Sequence, residues 1–362
     1  MKNYIKKAGL TMGLLLLIGQ FVSCNKTKKT SAIHKQTSVT INNQSNTEEE
    51  AELRKPIVFI TGYDKGDNTF YANSRSYFQE KKYQIVEDAY SLEEIIRWMN
   101  QNATTKPYGD VHIVSHSNPW KGMSLETVVK GERITTETLR KNITQGTIPK
   151  LKNVVSKNTK IIFHSCGLGE NTQLMQTLKE AFVADKTPSV IASPYYNVFG
   201  GQFSNHYLAQ PYYVFYPTAH STGKLDLSKE IAKKYPEEVD IDWYDALNNE
   251  EERYVGEAYT FQFNIPVKWV FDYHNSDNPI PTFTMQEEIM DWIADNEDLA
   301  KEMGNYNIPL EKFRWTYSVK NSKLTIKGKT TVLCVLKPLI KPYGDLKHIE
   351  PDTNNKRLFA MK

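Results

Sequence analysis

Two short apolar segments rich in β-branched residues limit most strongly what this chain can fold into. The segments VHIVSH (111–116) and TKIIFHSC (159–166) each run from apolar residues into a reactive side chain, His116 in the first and Cys166 in the second. With helix-like segments between them, such runs are typical of buried parallel strands in an α/β sheet. Residues just past the carboxyl ends of neighbouring parallel strands share one crevice. The sequence therefore predicts that His116 and Cys166 lie near each other.

The residues before the first segment predict the start of the same sheet. A buried strand begins at Pro56, an amphipathic helix is expected over 74–82, and a second strand over 83–90. Ser91 and Glu94 form a capping-box pattern at the start of the helical sequence LEEIIRWMNQ. This β-α-β-α-β order requires right-handed crossovers and therefore a parallel sheet.

The residues after Cys166 divide the rest of the chain into two parts. A helical pattern follows Cys166 directly, and strands are expected at 189–194 and 212–217. Beyond residue 225, acidic helical segments alternate with strand-like ones, and two antiparallel strands turn near Asn321. The predicted organisation is a mainly parallel α/β domain over 55–225, followed by a smaller α+β portion over 226–362.

The N-terminal residues resemble a bacterial lipoprotein signal. Residues 1–24 combine a lysine-bearing start with an apolar run at 13–22, which is short for a bilayer span, and end at Cys24. Phe21 stands where the common lipoprotein pattern has leucine. The expectation is an exported protein with acyl chains such as palmitate on Cys24, held on a bacterial membrane, the outer membrane being the expected one. An ordinary cleaved signal is the alternative. Residues 25–54 are polar and charged and are expected to form a solvated tether.

Composition excludes several other classes of function. The formal net charge is +3 and the Lys and Arg residues are scattered, so no nucleic-acid-binding surface is expected. The three cysteines are Cys24, Cys166 and Cys334, and no CxxC pair indicates zinc or redox chemistry. No cofactor is expected. A thiol beside an imidazole instead indicates a nucleophile and its base, which together attack an acyl carbon.

The order of these residues resembles the caspase–hemoglobinase superfamily of cysteine peptidases, which includes caspases, metacaspases, legumains and the clostripain-like and gingipain-like enzymes. In that family the catalytic histidine follows the third strand of a parallel sheet and the catalytic cysteine follows the fourth. His116 and Cys166 occupy those places and lie 50 residues apart (166 − 116), against a family spacing of about 50 in caspases. The turn of small residues after Cys166, Gly167-Leu168-Gly169, also matches. The resemblance covers roughly residues 55–220.

The resemblance implies a three-layer α/β/α fold and a thiol-dependent endopeptidase that acts on peptides or proteins through an acyl-enzyme. The backbone N–H groups of Ser117 and Cys166 would hold the oxyanion. Ser117 stands where the family has glycine, and a serine keeps that N–H group. The implied pocket residues are His164, two positions before the cysteine, together with Asp64 after the first strand and Ser193 and Tyr195 after the fifth.

Three alternatives remain open at this stage. The sequence Ser115-His116-Ser117-Asn118-Pro119 has the outline of the G-x-S-x-G elbow, which would make Ser117 the nucleophile of an α/β-hydrolase-type esterase. The second alternative is a metal site formed by His112, His116, His164 and Cys166, whose side chains suit zinc. The third alternative is a catalytically inactive relative that keeps the fold and binds partners at the cell surface.

Overall fold

The alternation of apolar and helical segments in the first half of the chain produces a central parallel sheet. The computed structural model describes residues 52–62, 64–66, 68–183 and 185–362. The predictions of a signal at 1–24, of lipidation at Cys24 and of most of the tether at 25–54 lie outside these residues. None of the helices in the described ranges has the length and apolar character needed to cross a bilayer.

The strands of the described residues number thirteen. In chain order they are β1 (Ile57–Ile60), β2 (Gln84–Val86), β3 (Asp110–Val114), β4 (Ser117–Asn118), β5 (Gly122–Met123), β6 (Lys160–His164), β7 (Ser189–Ala192), β8 (Tyr196–Phe199), β9 (His206–Pro217), β10 (Tyr259–Asp272), β11 (Arg314–Lys320), β12 (Lys323–Pro338) and β13 (Ala360–Met361).

The described residues form eight α-helices. They are α1 (Thr69–Glu80), α2 (Leu92–Gln101), α3 (Thr136–Thr144), α4 (Thr172–Ala181), α5 (Lys224–Lys234), α6 (Trp243–Asn248), α7 (Gln286–Asp295) and α8 (Glu297–Tyr306). The capping box predicted for α2 is present, since the Ser91 and Glu94 side chains each accept a hydrogen bond from the other residue's backbone N–H. Helix α1 begins earlier than predicted because the Asn68 side chain caps it by accepting from the Phe70 N–H.

The first sheet has the strand order β13-β7-β6-β3-β1-β2. Strands β1, β2, β3, β6 and β7 are parallel, and β13 is antiparallel to β7 at the edge. The prediction of an α/β fold with a mainly parallel sheet is confirmed. One face packs on α2, α3 and α4. The other face packs on α1, with Phe199 of β8 and Leu208 of β9 also against it.

The second sheet is antiparallel and has the order β10-β12-β9-β8, with β11 also beside β12. The predicted turn near Asn321 joins β11 to β12, and both Asn321 and Ser322 have left-handed φ angles. One face of this sheet packs on α5 and α6, and the other packs on α7 and α8.

Strand β9 shows why the domain boundary expected at residue 225 does not separate the two sheets. Tyr212 and Val214 pack towards α5 and α6, whereas Tyr213 and Phe215 pack on the opposite face. Such alternation suits an antiparallel strand whose two faces meet different layers. Strands β8 and β9 therefore join the second sheet with β10 and β12, and the described residues belong to one compact unit.

Two glycines give opposite predictions for the same substitution. A Cβ at Gly328 in β12 would lie 2.4 Å from the ring of Trp315, which stacks on Trp269 with centroids 5.7 Å apart. Gly328→Ala should therefore lower the free energy of unfolding by about 1–3 kcal/mol. A Cβ at Gly304, inside α8, would meet no neighbouring atom within 4 Å, so Gly304→Ala should raise it by about 0.5–1 kcal/mol. Denaturant titration measures both changes, and equal effects would contradict this account of the packing.

Candidate active site

Parallel pairing brings His116 and Cys166 to the same level at the edge of the sheet. Strands β3 and β6 are neighbours, and Val114 lies opposite His164 in their register. His116 and Cys166 each follow the end of their strand by two residues. Both side chains line one cavity of about 520 Å³. The sequence prediction that these two residues come together is therefore met.

Hydrogen bonds between the two strand ends fix the segments that carry these residues. The Ser165 hydroxyl donates to the Ser115 carbonyl oxygen at 2.8 Å, and the Ser117 hydroxyl donates to the Cys166 carbonyl oxygen at 2.5 Å. Gly167 adopts a left-handed conformation with φ of 71°, which turns the chain directly after the thiol and favours glycine. Hydrogen bonds thus join the segment after β3 to the segment after β6 next to His116 and Cys166.

The walls of the cavity come from both sheets. The start of α1 contributes Phe70 and Asn73, whereas the second sheet contributes mainly aromatic side chains. Strand β8 contributes Tyr196 and Phe199, and β10 contributes Tyr259, Phe261 and Phe263. Among the lining residues, Asp64 and Lys121 have charged side chains. The site is therefore an aromatic cleft with one carboxylate and one ammonium group.

The Cys166 thiol is buried, which favours its neutral form. The residue is 8% exposed, and its Sγ donates to the carbonyl oxygen of Asn197 at 3.8 Å. Burial raises the pKa of the Cys166 thiol to about 12, partly offset by the hydrogen bond to Asn197. The nucleophilic thiolate is therefore scarce at neutral pH until another group removes the proton.

The His116 imidazole lies in an aromatic setting. Its ring stacks on Phe70 with centroids 4.3 Å apart and meets the edge of Tyr71 at 4.9 Å. Burial lowers the pKa of His116, and the nearby carboxylate of Asp64 acts in the opposite direction. Its Nε2 is buried and has no hydrogen-bond partner among the described residues. A neutral imidazole with an unused ring nitrogen can accept a proton.

A hydrogen-bond network links Asp64 to the backbone of His116. The Tyr71 hydroxyl donates to Asp64 Oδ1 at 2.8 Å and accepts from the His116 N–H at 3.1 Å. The Ser124 hydroxyl donates to the other carboxylate oxygen of Asp64 at 2.9 Å. Asp64 thus holds the His116 segment through Tyr71 and also places a negative charge near the imidazole.

The backbone groups expected to hold an oxyanion are available on geometric grounds. Within the described residues, no backbone or side-chain acceptor takes the N–H of Cys166. In the β4–β5 hairpin Ser117 lies opposite Met123, whose N–H instead donates to the Ile134 carbonyl oxygen at 2.9 Å. Ser117 and Met123 are therefore a non-hydrogen-bonded pair, so the Ser117 N–H points away from β5.

The pocket residues expected from the sequence fall into two groups. Asp64 lines the cavity with His116 and Cys166, but His164, Ser193 and Tyr195 do not. His164 is the last residue of β6, a strand with packed layers on both faces. Its side chain points into the core, where it meets Phe78. Ser193 is fully buried and donates to the Leu358 carbonyl oxygen at 2.9 Å, while Tyr195 packs on the apolar cluster that includes Phe359. These three side chains therefore lie outside the cleft.

His164 belongs instead to a buried group of histidines. His112 Nδ1 and His164 Nε2 lie 2.9 Å apart, and His206 Nε2 lies 3.2 Å from the side-chain oxygen of Asn197. Burial lowers the pKa of all three rings, that of His164 to about 4. These histidines are therefore neutral core residues at neutral pH.

The geometry of the two rival sites is less favourable. Ser117 lies in a hairpin strand rather than at a strand-to-helix turn, and its hydroxyl donates to the Cys166 carbonyl oxygen. Of the four residues considered for a metal, His112 and His164 bond to each other in the core. The described part of the chain holds no group of three or more His, Cys, Asp or Glu residues suited to a metal ion.

Sequence reasoning missed several residues of the site. The predicted helix begins after Phe70 and Tyr71, although Asn68 is a capping residue directly before the observed helix start. Asn197 lies on β8, a four-residue strand that the sequence did not indicate. The aromatic residues of β10 carry no local signal, since only the packing of the second sheet brings them to Cys166.

The chain has no match among models of known protein families, and no curated protein is significantly similar to it in sequence.

The charge of Asp64 should be measurable at His116. Asp64→Asn removes the carboxylate that raises the pKa of His116, so this pKa should fall further below its ordinary value. Titration of the His116 ring by NMR measures the change without any need for activity. Asp110→Asn, at the opposite end of β3, is the matched control and should leave the His116 pKa in place. An unchanged His116 pKa in Asp64→Asn would show that Asp64 holds the His116 segment in place without affecting the charge of its ring.

The buried histidines predict a loss of stability in acid. Their folded-state pKa values lie below the unfolded value, so the unfolded chain binds more protons as the pH falls below about 6.5. Each such histidine should lower the free energy of unfolding by up to about 1.4 kcal/mol per pH unit, for His164 down to its folded pKa of about 4. Denaturant titrations at several pH values measure this slope. His112→Phe should reduce it, whereas the exposed His348→Phe is the control; a slope equal in both variants would exclude the buried rings as its source.

Proposed function

We propose that this protein is a cysteine endopeptidase that hydrolyses peptide bonds through Cys166 and His116. The observation that carries the proposal is the placement of a thiol and an imidazole at equivalent positions past two paired parallel strands, in one cavity. The imidazole has an unused ring nitrogen, and the N–H of Cys166 has no acceptor among the described residues. A nucleophile, a base and an oxyanion donor are the groups that acyl transfer requires.

The proposal also includes the superfamily to which the protein belongs and its attachment to a membrane. The order β2-β1-β3-β6-β7 puts His116 after the third and Cys166 after the fourth parallel strand in the chain, which supports membership of the caspase–hemoglobinase superfamily. The N-terminal sequence supports export and attachment to a bacterial membrane through lipidated Cys24. The substrate is a peptide or a protein.

The resting protonation states define how the reaction begins. Since the thiol has a pKa of about 12 and the pKa of His116 is lowered by burial, the resting pair is neutral rather than an ion pair. When substrate enters, the hydrogen bond from the Cys166 thiol to the Asn197 carbonyl oxygen breaks. His116 Nε2 then takes the thiol proton as the sulfur attacks the carbonyl carbon of the substrate's peptide bond. The charge of Asp64 stabilises the imidazolium that forms.

The remaining steps use the same groups. The tetrahedral oxyanion is held by the N–H groups of Ser117 and Cys166, and loss of such a donor costs about 10²–10³ in rate. The imidazolium then gives its proton to the leaving amine, which breaks the peptide bond and leaves an acyl group on sulfur. Water attacks this thioester with His116 as base, so the carboxylic acid departs and the thiol is restored.

One observation favours the non-catalytic alternative. The Cys166 Sγ bonds to the Asn197 carbonyl oxygen, and no hydrogen bond joins it to His116 within the described residues. A protein that keeps this arrangement when peptide enters would bind it without cleaving it. Activity measurements on defined variants separate the two functions.

Cleavage of a peptide library tests the proposal. Cys166→Ala and His116→Ala should each lower the cleavage rate by at least about 10³, because the nucleophile and its base act as a unit. Cys334→Ala is the matched control, since this thiol is fully buried within β12 and outside the cavity. It should cleave like the unaltered protein. Peptide binding without cleavage would favour the non-catalytic function, and labelling of Ser117 by a fluorophosphonate would favour the esterase.

A further inference from the structure

Lys121 contributes a positive charge to the active-site cleft. It lies in the turn between β4 and β5, on the segment that follows His116, and lines the same cavity as His116 and Cys166. Its Nζ donates to the carbonyl oxygen of Asn264 on β10 at 2.9 Å. The ammonium group carries three N–H donors, so this bond uses one of them.

The turn that carries Lys121 is held in place on both sides. The Asn118 side-chain oxygen accepts hydrogen bonds from the N–H groups of Trp120, at 3.1 Å, and Lys121, at 2.9 Å. The Trp120 indole donates to the Tyr306 carbonyl oxygen at 2.9 Å, and its ring meets Tyr213 edge-on at 5.0 Å. A partly buried side chain on such a fixed turn is preorganised to bind a ligand.

Nothing in the described part of the chain neutralises this ammonium group. No carboxylate there lies within ion-pair distance of Lys121, and the two carboxylate oxygens of Asp64, on the same cavity, accept hydrogen bonds from the Tyr71 and Ser124 hydroxyls. Arg133 and Lys329 add further positive charge nearby, and with burial they lower the pKa of Lys121. The Asn264 carbonyl oxygen accepts a hydrogen bond from Lys121 but carries no formal negative charge. It therefore does not neutralise the positive charge of the ammonium group.

We propose that Lys121 binds a carboxylate group of the peptide substrate. The inference rests on the peptidase function proposed above and names a feature of its substrate. The carboxylate has two sources, an Asp or Glu side chain or the free C-terminus of the peptide. In the cleft, away from bulk water, a hydrogen bond between charged groups is stronger than in solution.

Binding to a protein that cannot turn over its substrate tests this inference. In the Cys166→Ala background, fluorescence anisotropy compares pools of short labelled peptides that differ only in their carboxylates. One pool keeps acidic side chains and a free C-terminus, a second has Asn and Gln for Asp and Glu, and a third has an amidated C-terminus. The loss of affinity in the second or the third pool identifies the source of the carboxylate.

We call the first pool the acidic pool, and the pool that lacks the recognised carboxylate the neutral pool. The expected difference in Kd between them is about 10–100-fold, the range for a hydrogen bond between charged groups. Adding Lys121→Gln should remove this difference by weakening the binding of the acidic pool more than that of the neutral pool. Lys121→Arg should restore most of it, because the charge is kept. Thermal melting of each variant shows whether the hairpin still folds.

The outcomes separate this inference from the peptidase function. Equal binding of all pools, no binding of any pool, or an equal loss for acidic and neutral peptides in Lys121→Gln would overturn the role of Lys121. Cleavage by the unaltered protein that ignores carboxylates would leave the peptidase in place and remove the inference. Selective binding of acidic peptides without cleavage would retain the carboxylate site and remove the peptidase.

Discussion

The pairing of β3 with β6 is the interaction on which the rest of the site depends. Because Val114 lies opposite His164, the residues that follow at equal distance emerge side by side. A shift of one residue in either strand would reverse its alternation of side chains and bury one of the two reactive groups in the core. The hydrogen bonds from Ser165 and Ser117 across the strand ends hold this register at its most important point.

Burial then sets the chemistry that this register makes available. The same low-dielectric surroundings raise the pKa of the Cys166 thiol and lower that of His116, so burial favours the neutral form of both groups. Asp64 acts against burial at His116, since its negative charge favours the imidazolium that a proton transfer creates. The Tyr71 hydroxyl places that carboxylate without placing it in direct contact with the ring.

The second sheet completes the cleft. Its edge strand β8 supplies the Asn197 carbonyl oxygen that accepts the hydrogen bond of the thiol, and β10 supplies aromatic walls and the carbonyl oxygen that holds Lys121. Trp120 connects the hairpin after His116 to this sheet and to α8. The cleft is therefore lined by groups from two sheets, and the cavity would be open on one side without the C-terminal half of the chain.

The sequence by itself determined the parallel strands, the capped helix α2, the hairpin at Asn321 and the proximity of His116 and Cys166. These follow from hydrophobic periodicity, capping residues and the rule that parallel strands end at one edge, all of which are local or topological signals. Only the tertiary structure decided that His164 lies in the core, that β9 belongs to the second sheet, and that Asn197 and Lys121 reach the cleft. The physical reason is that side-chain environment depends on which distant segments pack together, and no single stretch of sequence records its partner.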